Sequence, residues 1–258
     1  MTPTPAALQQ DNERLQRELA QARAALEDFT YSVSHDLRAS LRHVNAYVQI
    51  IREDLGEQGN PALLGYLGTV TQAAQQMARQ IDGLTELSRL TRLDLHCTPV
   101  AVEPLVREVC AELALTLNGR TVDWQLAPDF PALLCDATLL RQLLLHLLSN
   151  ALKFSAARPV AQIELTWQLA ANGQCALTVA DNGAGFNPQY KDKLFHVFQR
   201  LHSAREFDGL GLGLALSRKI VERHGGTVWA DATLDAGARI SFTLPLAAAA
   251  DAPQTCCV

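Results

Sequence analysis

The feature that most constrains the fold is a helical apolar pattern that runs through the first third of the chain with one break. Apolar residues recur every three or four positions from Leu15 to Leu55, with Leu8 seven positions earlier, and again from Leu64 to Leu84, which is the spacing of one face of an α-helix. The break contains the helix-ending residues Gly56, Gly59, Asn60 and Pro61. The pattern predicts two long helices, from about residue 6 to 55 and from about 62 to 92, joined by a short connection as an antiparallel hairpin.

These apolar faces are too extensive for one hairpin to bury, so we expect a homodimer in which two copies form a four-helix bundle. The first 28 residues carry only a narrow apolar seam near heptad spacing, with charged residues on the other faces. A two-stranded coiled coil is the favoured interpretation of this segment, and a single surface helix is the alternative. Successive steps of four residues from Phe29 to Leu41 interrupt the heptad, which locally unwinds a supercoil.

His35 and Asp36 lie in the middle of this interruption. His35 is two residues from both Val33 and Leu37, so at about 100° per residue it falls on the side of the helix opposite the apolar stripe. Asp36 could hold one ring nitrogen and leave the other free and basic. Considered alone, the pair is more often a solvated surface pair than a reactive one.

The sequence changes character near Leu95, where shorter helices begin to alternate with strands. The dipeptide Asn172–Gly173 between two apolar runs indicates a hairpin turn. Predicted helices span about 103–118, 137–154, 191–198 and 212–224. Predicted strands span about 121–127, 160–170, 174–182, 226–232 and 238–246, and a Pro-containing turn followed by a further strand is predicted near 128–135. We therefore expect an α+β chain, in which a dimeric helical hairpin precedes an α/β two-layer sandwich.

Composition excludes several classes of protein. A net charge of −5 gives no reason to expect nucleic acid, and no apolar run reaches the roughly 18–20 residues that a membrane span requires. The start of the chain lacks the charged and apolar regions of a signal peptide. The six cysteines show no metal-ligand spacing, which fits reduced thiols and a cytoplasmic location.

Four short segments of the second part carry residues suited to nucleotide chemistry. Asn150 and Lys153 are three apart on a predicted helix and so point the same way; an amide oxygen suits Mg²⁺ and a lysine suits phosphate. Asp181 ends a predicted strand before Gly183 and Gly185, where a carboxylate can accept from the amine of adenine and glycines let a ring approach. Each segment is weak evidence by itself.

The other two segments are LFHVFQRLH, which contains Arg200, and DGLGLGLALSRKIV. In the latter, Gly209, Gly211 and Gly213 lead into a predicted helix, and glycine amides at a helix N-terminus bind phosphate oxygens. This segment lacks the GK[ST] ending of a P-loop and the βαβ context of a dinucleotide fingerprint.

The ordered set is specific. A helix with SHDLR, followed by NALKF, DNGAGF, LFHVFQR and GLGLGL, resembles the two-component sensor histidine kinases over about residues 29–245. The wording FTYSVSHDLR and LFHVFQRLH further resembles kinase modules found behind bacterial phytochromes.

The resemblance implies that His35 accepts a phosphoryl group and that Asp36 orients or deprotonates its ring. Asn150 would ligate Mg²⁺, Lys153 would contact phosphate and Asp181 would read adenine, so the implied cofactors are ATP and Mg²⁺. The other implied binding residues are Gly183 and Gly185 beside adenine, Arg200 beside the γ-phosphate, and Gly209, Gly211 and Gly213 beneath the phosphates.

The sequence departs from the family pattern in three places. Ala39–Ser40 replaces the usual Thr-Pro after the histidine, which removes a residue often used for phosphatase action. His146 stands where a second Asn is common and where gyrase-type ATPases carry a catalytic Glu, which argues against that class. Leu210 replaces a Thr. A mainly dephosphorylating protein and a non-catalytic ATP-binding scaffold remain as alternatives.

The expected domains are a coiled-coil signalling helix at 1–28, a dimerisation and phosphotransfer domain at 29–95, an ATP-binding domain at 96–246 and a disordered tail at 247–258. The expected partners are a second copy, a response regulator receiver domain and a separate sensor or input module.

Overall fold

The computed structural model describes residues 5–56, 60–117, 119–203 and 206–247. The chain divides into two compact units, residues 1–89 and residues 90–258. The predicted tail lies outside the described residues except for Ala247, whose backbone N–H donates to the carbonyl of Ala132 at 2.9 Å. Within the described ranges, no helix combines the length and the hydropathy that crossing a membrane demands.

The first unit is built from two helices, α1 (Pro5–Leu55) and α2 (Pro61–Arg92). Gly56, with φ +60°, donates its N–H to the carbonyls of Arg52 and Glu53 and so ends α1. The side chain of Asn60 accepts from the N–H of Ala62 at 2.9 Å, and Pro61 takes the first helical position, where its missing N–H costs nothing. The two predicted helices are confirmed.

The two helices pack along a seam that repeats every seven residues. Its buried members are Ser34, Leu41 and Val48 on α1, and Leu67, Ala74 and Ile81 on α2. Arg38 on α1 bonds across to Asp82 and Thr85 near the end of α2, so the helices run antiparallel. A second stripe with the same period stays exposed in the single chain, and its members are Leu37, Val44, Ile51, Leu63, Val70 and Met77. The hairpin thus buries one of these two stripes and leaves the other exposed.

The second unit is an α/β sandwich, and this part of the fold prediction is also confirmed. Its helices are α3 (Val102–Ala114), α4 (Ala137–Phe154) and α5 (Gly213–Arg223). Its strands are β1 (Thr98–Val100), β2 (Thr121–Leu126), β3 (Leu133–Cys135), β4 (Val160–Leu169), β5 (Gln174–Asp181), β6 (Val228–Thr233) and β7 (Gly237–Pro245).

Five strands form one sheet in the order β2-β4-β5-β7-β6, and β1 pairs with β3 in a separate two-stranded sheet. Only β2 and β4 pair in parallel within the large sheet, and α4 lies in the chain between them. The side chain of Asp136 caps α4 by accepting from the N–H groups of Thr138 and Leu139. The leucines of α4 supply much of the core, and those at most 2% exposed are Leu139, Leu140, Leu143, Leu144, Leu147 and Leu148.

One local prediction was wrong. The helix expected over 191–198 is a 3₁₀ helix over Pro188–Lys193, because the side chain of Asn187 caps it from the N-terminal side and Phe198, at φ +62°, leaves helical geometry. The turn and strand expected near 128–135 are present: Asp129 has φ +56°, and the strand covers Leu133–Cys135.

Candidate active site

His35 and Asp36 face solvent from the middle of α1. Their side chains are 64% and 80% exposed, and the ring Nδ1 lies 3.2 Å from Asp36 Oδ1. An ionised carboxylate accepts, so Nδ1 carries the proton in this pair and Nε2 is left as the basic nitrogen. The sequence argument for an outward-facing, oriented ring agrees with this geometry.

A hydrogen-bonded contact between the two helices lies one turn from this pair, and no sequence motif predicted it. Arg38 Nε donates to Asp82 Oδ1 at 2.9 Å, and its Nη2 donates to Thr85 Oγ1 at 2.8 Å. Thr85 in turn donates to the carbonyl of Ile81 at 2.8 Å. These bonds fix the stretch of α1 that carries His35 against α2.

The second unit contains a cavity of about 300 Å³. Its walls come from the end of α4, the end of β5, residues 199–202 and 207–212, and the start of α5. The predicted site residues that line it are Asn150, Lys153, Asp181, Gly185, Arg200, Gly209, Gly211 and Gly213. Four segments that lie far apart in the sequence therefore meet in one place, and the volume is within the range of small-molecule sites.

Asp181 stands at the end of β5 with its carboxylate largely withdrawn from water. Burial raises the pKa of this carboxyl, and hydrogen bonds from the backbone N–H groups of Gly183 and Ala238 partly offset that rise. The bond from Gly183 N to Asp181 Oδ1 measures 2.8 Å. Gly183 does not line the cavity, but its N–H orients the carboxylate of Asp181.

At two positions of the site, the backbone conformation and close packing require a glycine. Gly185 has φ +60°, and a Cβ there would lie 2.0 Å from the carbonyl oxygen of Thr233. Gly211 has φ +70°, and a Cβ there would lie 2.5 Å from the carbonyl oxygen of Gln199. Any side chain would push these loops apart and change the cavity.

The cavity lining also contains two cations, Lys153 and Arg200. Burial lowers the pKa of Lys153, the neighbouring Arg200 lowers it further, and Asp208 acts in the opposite direction. The ammonium lies 4.5 Å from the centre of the Phe154 ring, and Arg200 donates to the carbonyl of Phe207. Two cations placed together suit a ligand with several negative charges.

The first residues of α5 also line the cavity. Gly213 is its first residue, and no side chain caps the helix there. Helix N–H groups without a cap are available to phosphate oxygens, and the helix dipole favours an anion. The predicted use of this glycine-rich segment as a phosphate site is compatible with its geometry.

Three rings form a wall that sequence reasoning missed. Phe154, His202 and Phe207 contact one another with centroids 5.0–5.4 Å apart. The Nε2 of His202 lies 2.8 Å from the carbonyl oxygen of Gly185 and donates to it. All three residues line the cavity, so a flat aromatic ligand meets apolar surface beside Asp181.

Asn150 is the residue that is predicted to ligate Mg²⁺. It shares the cavity with Asp208, and the described residues hold no group of three or more histidine, cysteine or acidic side chains suited to a metal ion. One amide and one carboxylate do not make a complete cage. They do fit Mg²⁺ that arrives with phosphate oxygens and keeps several waters.

Two family descriptions match consecutive parts of the chain. Residues 25–93 match the His Kinase A (phospho-acceptor) domain. Residues 135–248 match the histidine kinase-, DNA gyrase B- and HSP90-like ATPases. The first match contains His35, and the second contains the cavity residues from Asn150 to Gly213.

Curated relatives include cyanobacterial phytochrome B of Nostoc sp. strain PCC 7120, which is 30% identical over 90% of this chain and 31% of its own length. The methanogenesis regulatory histidine kinase FilI of Methanothrix harundinacea is 31% identical over 86% of this chain and 25% of its own length. The chain therefore spans a third or less of the length of these curated relatives.

Solved structures of histidine kinases are also similar to this chain. Full-length ShkA in complex with AMPPNP is 25% identical, has a TM-score of 0.63 and covers 87% of this chain, which corresponds to 47% of that protein. Histidine kinase ThkA in complex with the response regulator protein TrrA shares the fold at a TM-score of 0.59 and 21% identity, over 95% of this chain and 68% of that one.

Proposed function

Because the chain belongs to the sensor histidine kinases, with a phospho-acceptor domain followed by an ATPase domain, we propose that it phosphorylates itself on His35 with ATP. The phosphoryl group then passes to an aspartate on a response regulator. The observation that carries the proposal is the chemistry of the cavity, whose lining combines the half-buried carboxylate of Asp181, the two cations Lys153 and Arg200, and an uncapped helix start.

Asp36 orients the nucleophile. It holds the proton on Nδ1 of His35, which leaves the lone pair of Nε2 free to attack the γ-phosphorus. The new N–P bond forms while the bond from phosphorus to the bridging oxygen breaks, and ADP leaves. The ring becomes cationic as it loses the lone pair, and the carboxylate of Asp36 stabilises that charge.

The cavity residues position the nucleotide and neutralise its charge. Asp181 accepts from the amine of adenine, and the aromatic wall packs on the ring. Lys153, Arg200 and the N–H groups at the start of α5 face the phosphates. Mg²⁺, when bound through Asn150, supplies further positive charge to the phosphate oxygens. Phosphoryl transfer depends mainly on such positioning and charge compensation.

The same proposal includes partners. A homodimer is supported by the exposed apolar stripe of the hairpin, and an aspartate acceptor by the fold shared with ThkA in its complex with a response regulator. A sensor or upstream input module is supported by the greater length of the phytochrome relatives. Residues 29–95 and 96–246 are the proposed phosphotransfer and ATP-binding domains.

Labelling with γ-³²P ATP and Mg²⁺ tests the function. We expect acid-labile label on the unmodified chain, because a phosphoramidate hydrolyses in acid and a phosphoserine does not. His35→Gln should abolish the label while leaving nucleotide binding intact, and Asn150→Ala should abolish it through the nucleotide site. Acid-stable label, or label on His35→Gln, would contradict the proposal.

A further inference from the structure

Arg158 lies in the turn between α4 and β4, and its side chain reaches the loop that follows β5. Its Nε donates to the carbonyl of Asn182 at 2.7 Å, and its Nη2 donates to the carbonyl of Gly183 at 3.1 Å. The same Nη2 also donates to the carbonyl of Asp235 in the turn between β6 and β7. One guanidinium thus joins two loops that meet beside Asp181.

The peptide that Arg158 holds is the peptide that orients Asp181. The carbonyl of Asn182 and the N–H of Gly183 belong to one planar unit, in which they point in opposite directions. Arg158 binds the carbonyl end at 2.7 Å, and the N–H end donates to Asp181 Oδ1 at 2.8 Å. A cation on the oxygen also polarises the N–H and strengthens its bond to the carboxylate.

Other bonds hold the loop without this guanidinium. The side chain of Asn182 accepts from the N–H of Gln162 at 3.0 Å and donates to the carbonyl of Val160 at 3.0 Å. The N–H of Ala184 donates to the carbonyl of Phe154 at 3.1 Å. Loss of the Arg158 side chain should therefore leave the loop in place and free the rotation of one peptide plane.

We propose that Arg158 is a positioning residue that sets the orientation of the Asp181 carboxylate and thereby the preference for adenine. The proposal rests on the proposed function, since it assumes that Asp181 reads the amine of ATP. It adds a residue that does not line the cavity and acts through a backbone peptide.

Binding of ATP and of inosine triphosphate to the full chain tests the proposal. Inosine carries a carbonyl where adenine carries an amine, so an oriented carboxylate favours ATP. We expect Arg158→Ala to weaken ATP binding about tenfold, the size of one lost charge-assisted hydrogen bond, and to change inosine triphosphate binding little. Arg158→Lys should recover only part of the preference for ATP, because an ammonium cannot donate to three carbonyls in a fixed plane as a guanidinium does.

Arg107→Ala is the matched control, because that exposed arginine pairs only with Glu103 one turn away among the contacts described. It should keep the wild-type preference. In an Asp181→Asn background, Arg158→Ala should have no further effect, since the two residues act through one interaction.

The outcomes separate the two proposals. If the wild-type chain binds neither nucleotide, the proposed function fails. If the wild type prefers ATP and Arg158→Ala keeps that preference, or loses affinity for both nucleotides equally, the positioning role is overturned. Arg158→Lys supplies the same comparison if the alanine variant does not fold.

Discussion

At the scale of single residues, His35 depends on its neighbour for orientation. The carboxylate of Asp36 is 3.2 Å from Nδ1, and both side chains are open to solvent. An exposed pair of this kind adds little to folding stability. The pair instead holds one tautomer of the ring, and under the proposed function this makes Nε2 the nucleophile.

Asp36→Asn should therefore lower the rate of autophosphorylation about a hundredfold, the usual contribution of a positioned base. ATP affinity and thermal stability should not change, because Asp36 does not line the cavity and its side chain is 80% exposed. Asp54→Asn, an exposed acid on the same helix, is the control and should label normally. Equal labelling of the two variants would show that Asp36 has no part in the reaction.

Lys153 gives the site a dependence on pH. Burial and Arg200 lower its pKa from the ordinary 10.5, so the ammonium loses its proton at a lower pH than a free lysine does. A bound polyanion favours the charged form, and ATP binding should therefore take up protons on the alkaline side. We expect ATP affinity to fall as pH rises towards 10.5 and proton uptake to appear in calorimetric titrations in two buffers.

Lys153→Arg keeps a charge that does not titrate in this range, so its ATP affinity should lose most of that pH dependence. A variant that retained the wild-type pH profile would assign the dependence to another group.

At the scale of elements, His224 joins the C-terminus of α5 to the N-terminus of α4. Its Nε2 accepts from the N–H of Asp136 at 3.1 Å, and its Nδ1 donates to the carbonyl of Ile220 at 2.8 Å. The bond to Nε2 requires the neutral ring, because a protonated Nε2 cannot accept, whereas the bond from Nδ1 to Ile220 remains when the ring is charged. Burial is the main cause that lowers the pKa of this histidine, and Asp136 acts in the opposite direction.

The stability of the fold should therefore depend on pH through His224. The His224 ring takes up a proton near pH 6.5 in the unfolded chain and only at a lower pH in the folded chain. The contribution of His224 to the free energy of unfolding is therefore complete above pH 6.5 and decreases as the pH falls below that value. His224→Gln should lose about 1–2 kcal/mol at neutral pH and show a smaller decline in acid. Urea unfolding of both proteins at several pH values measures the difference.

The elements differ in how far the sequence predicts them. The ends of α1, α2 and α4 follow from local signals such as Gly56, Asn60 and Asp136, and the sequence predicted them closely. The segment after Asn187 is shaped by a cap and by contacts of Phe198, and its prediction was wrong. The nucleotide residues were recognised by motif, whereas Arg158 and His202 carry no local signal, because their partners lie more than fifteen residues away.

At the scale of the whole molecule, the hairpin exposes an apolar stripe that a second copy could cover. Val44 is 41% exposed and Val70 is 43% exposed in the single chain. The stripe repeats every seven residues on both helices, as the buried seam does, and this is the pattern that left-handed helical bundles use. Each large apolar side chain that becomes fully buried contributes about 1.5–3 kcal/mol.

Val44→Glu should dissociate the homodimer, because twofold symmetry places two new charges at the apolar contact and an unpaired charge is costly to bury. We expect the dissociation constant to rise about a hundredfold or more, with the helical content of each chain kept by the intact Leu41–Ile81 seam. Ala46→Glu is the matched control, since this exposed residue lies on the other side of α1. Sedimentation of the three proteins across a range of concentrations decides the point: a monomeric wild type would rule out the bundle, and a dimeric Val44→Glu would place the contact on another face.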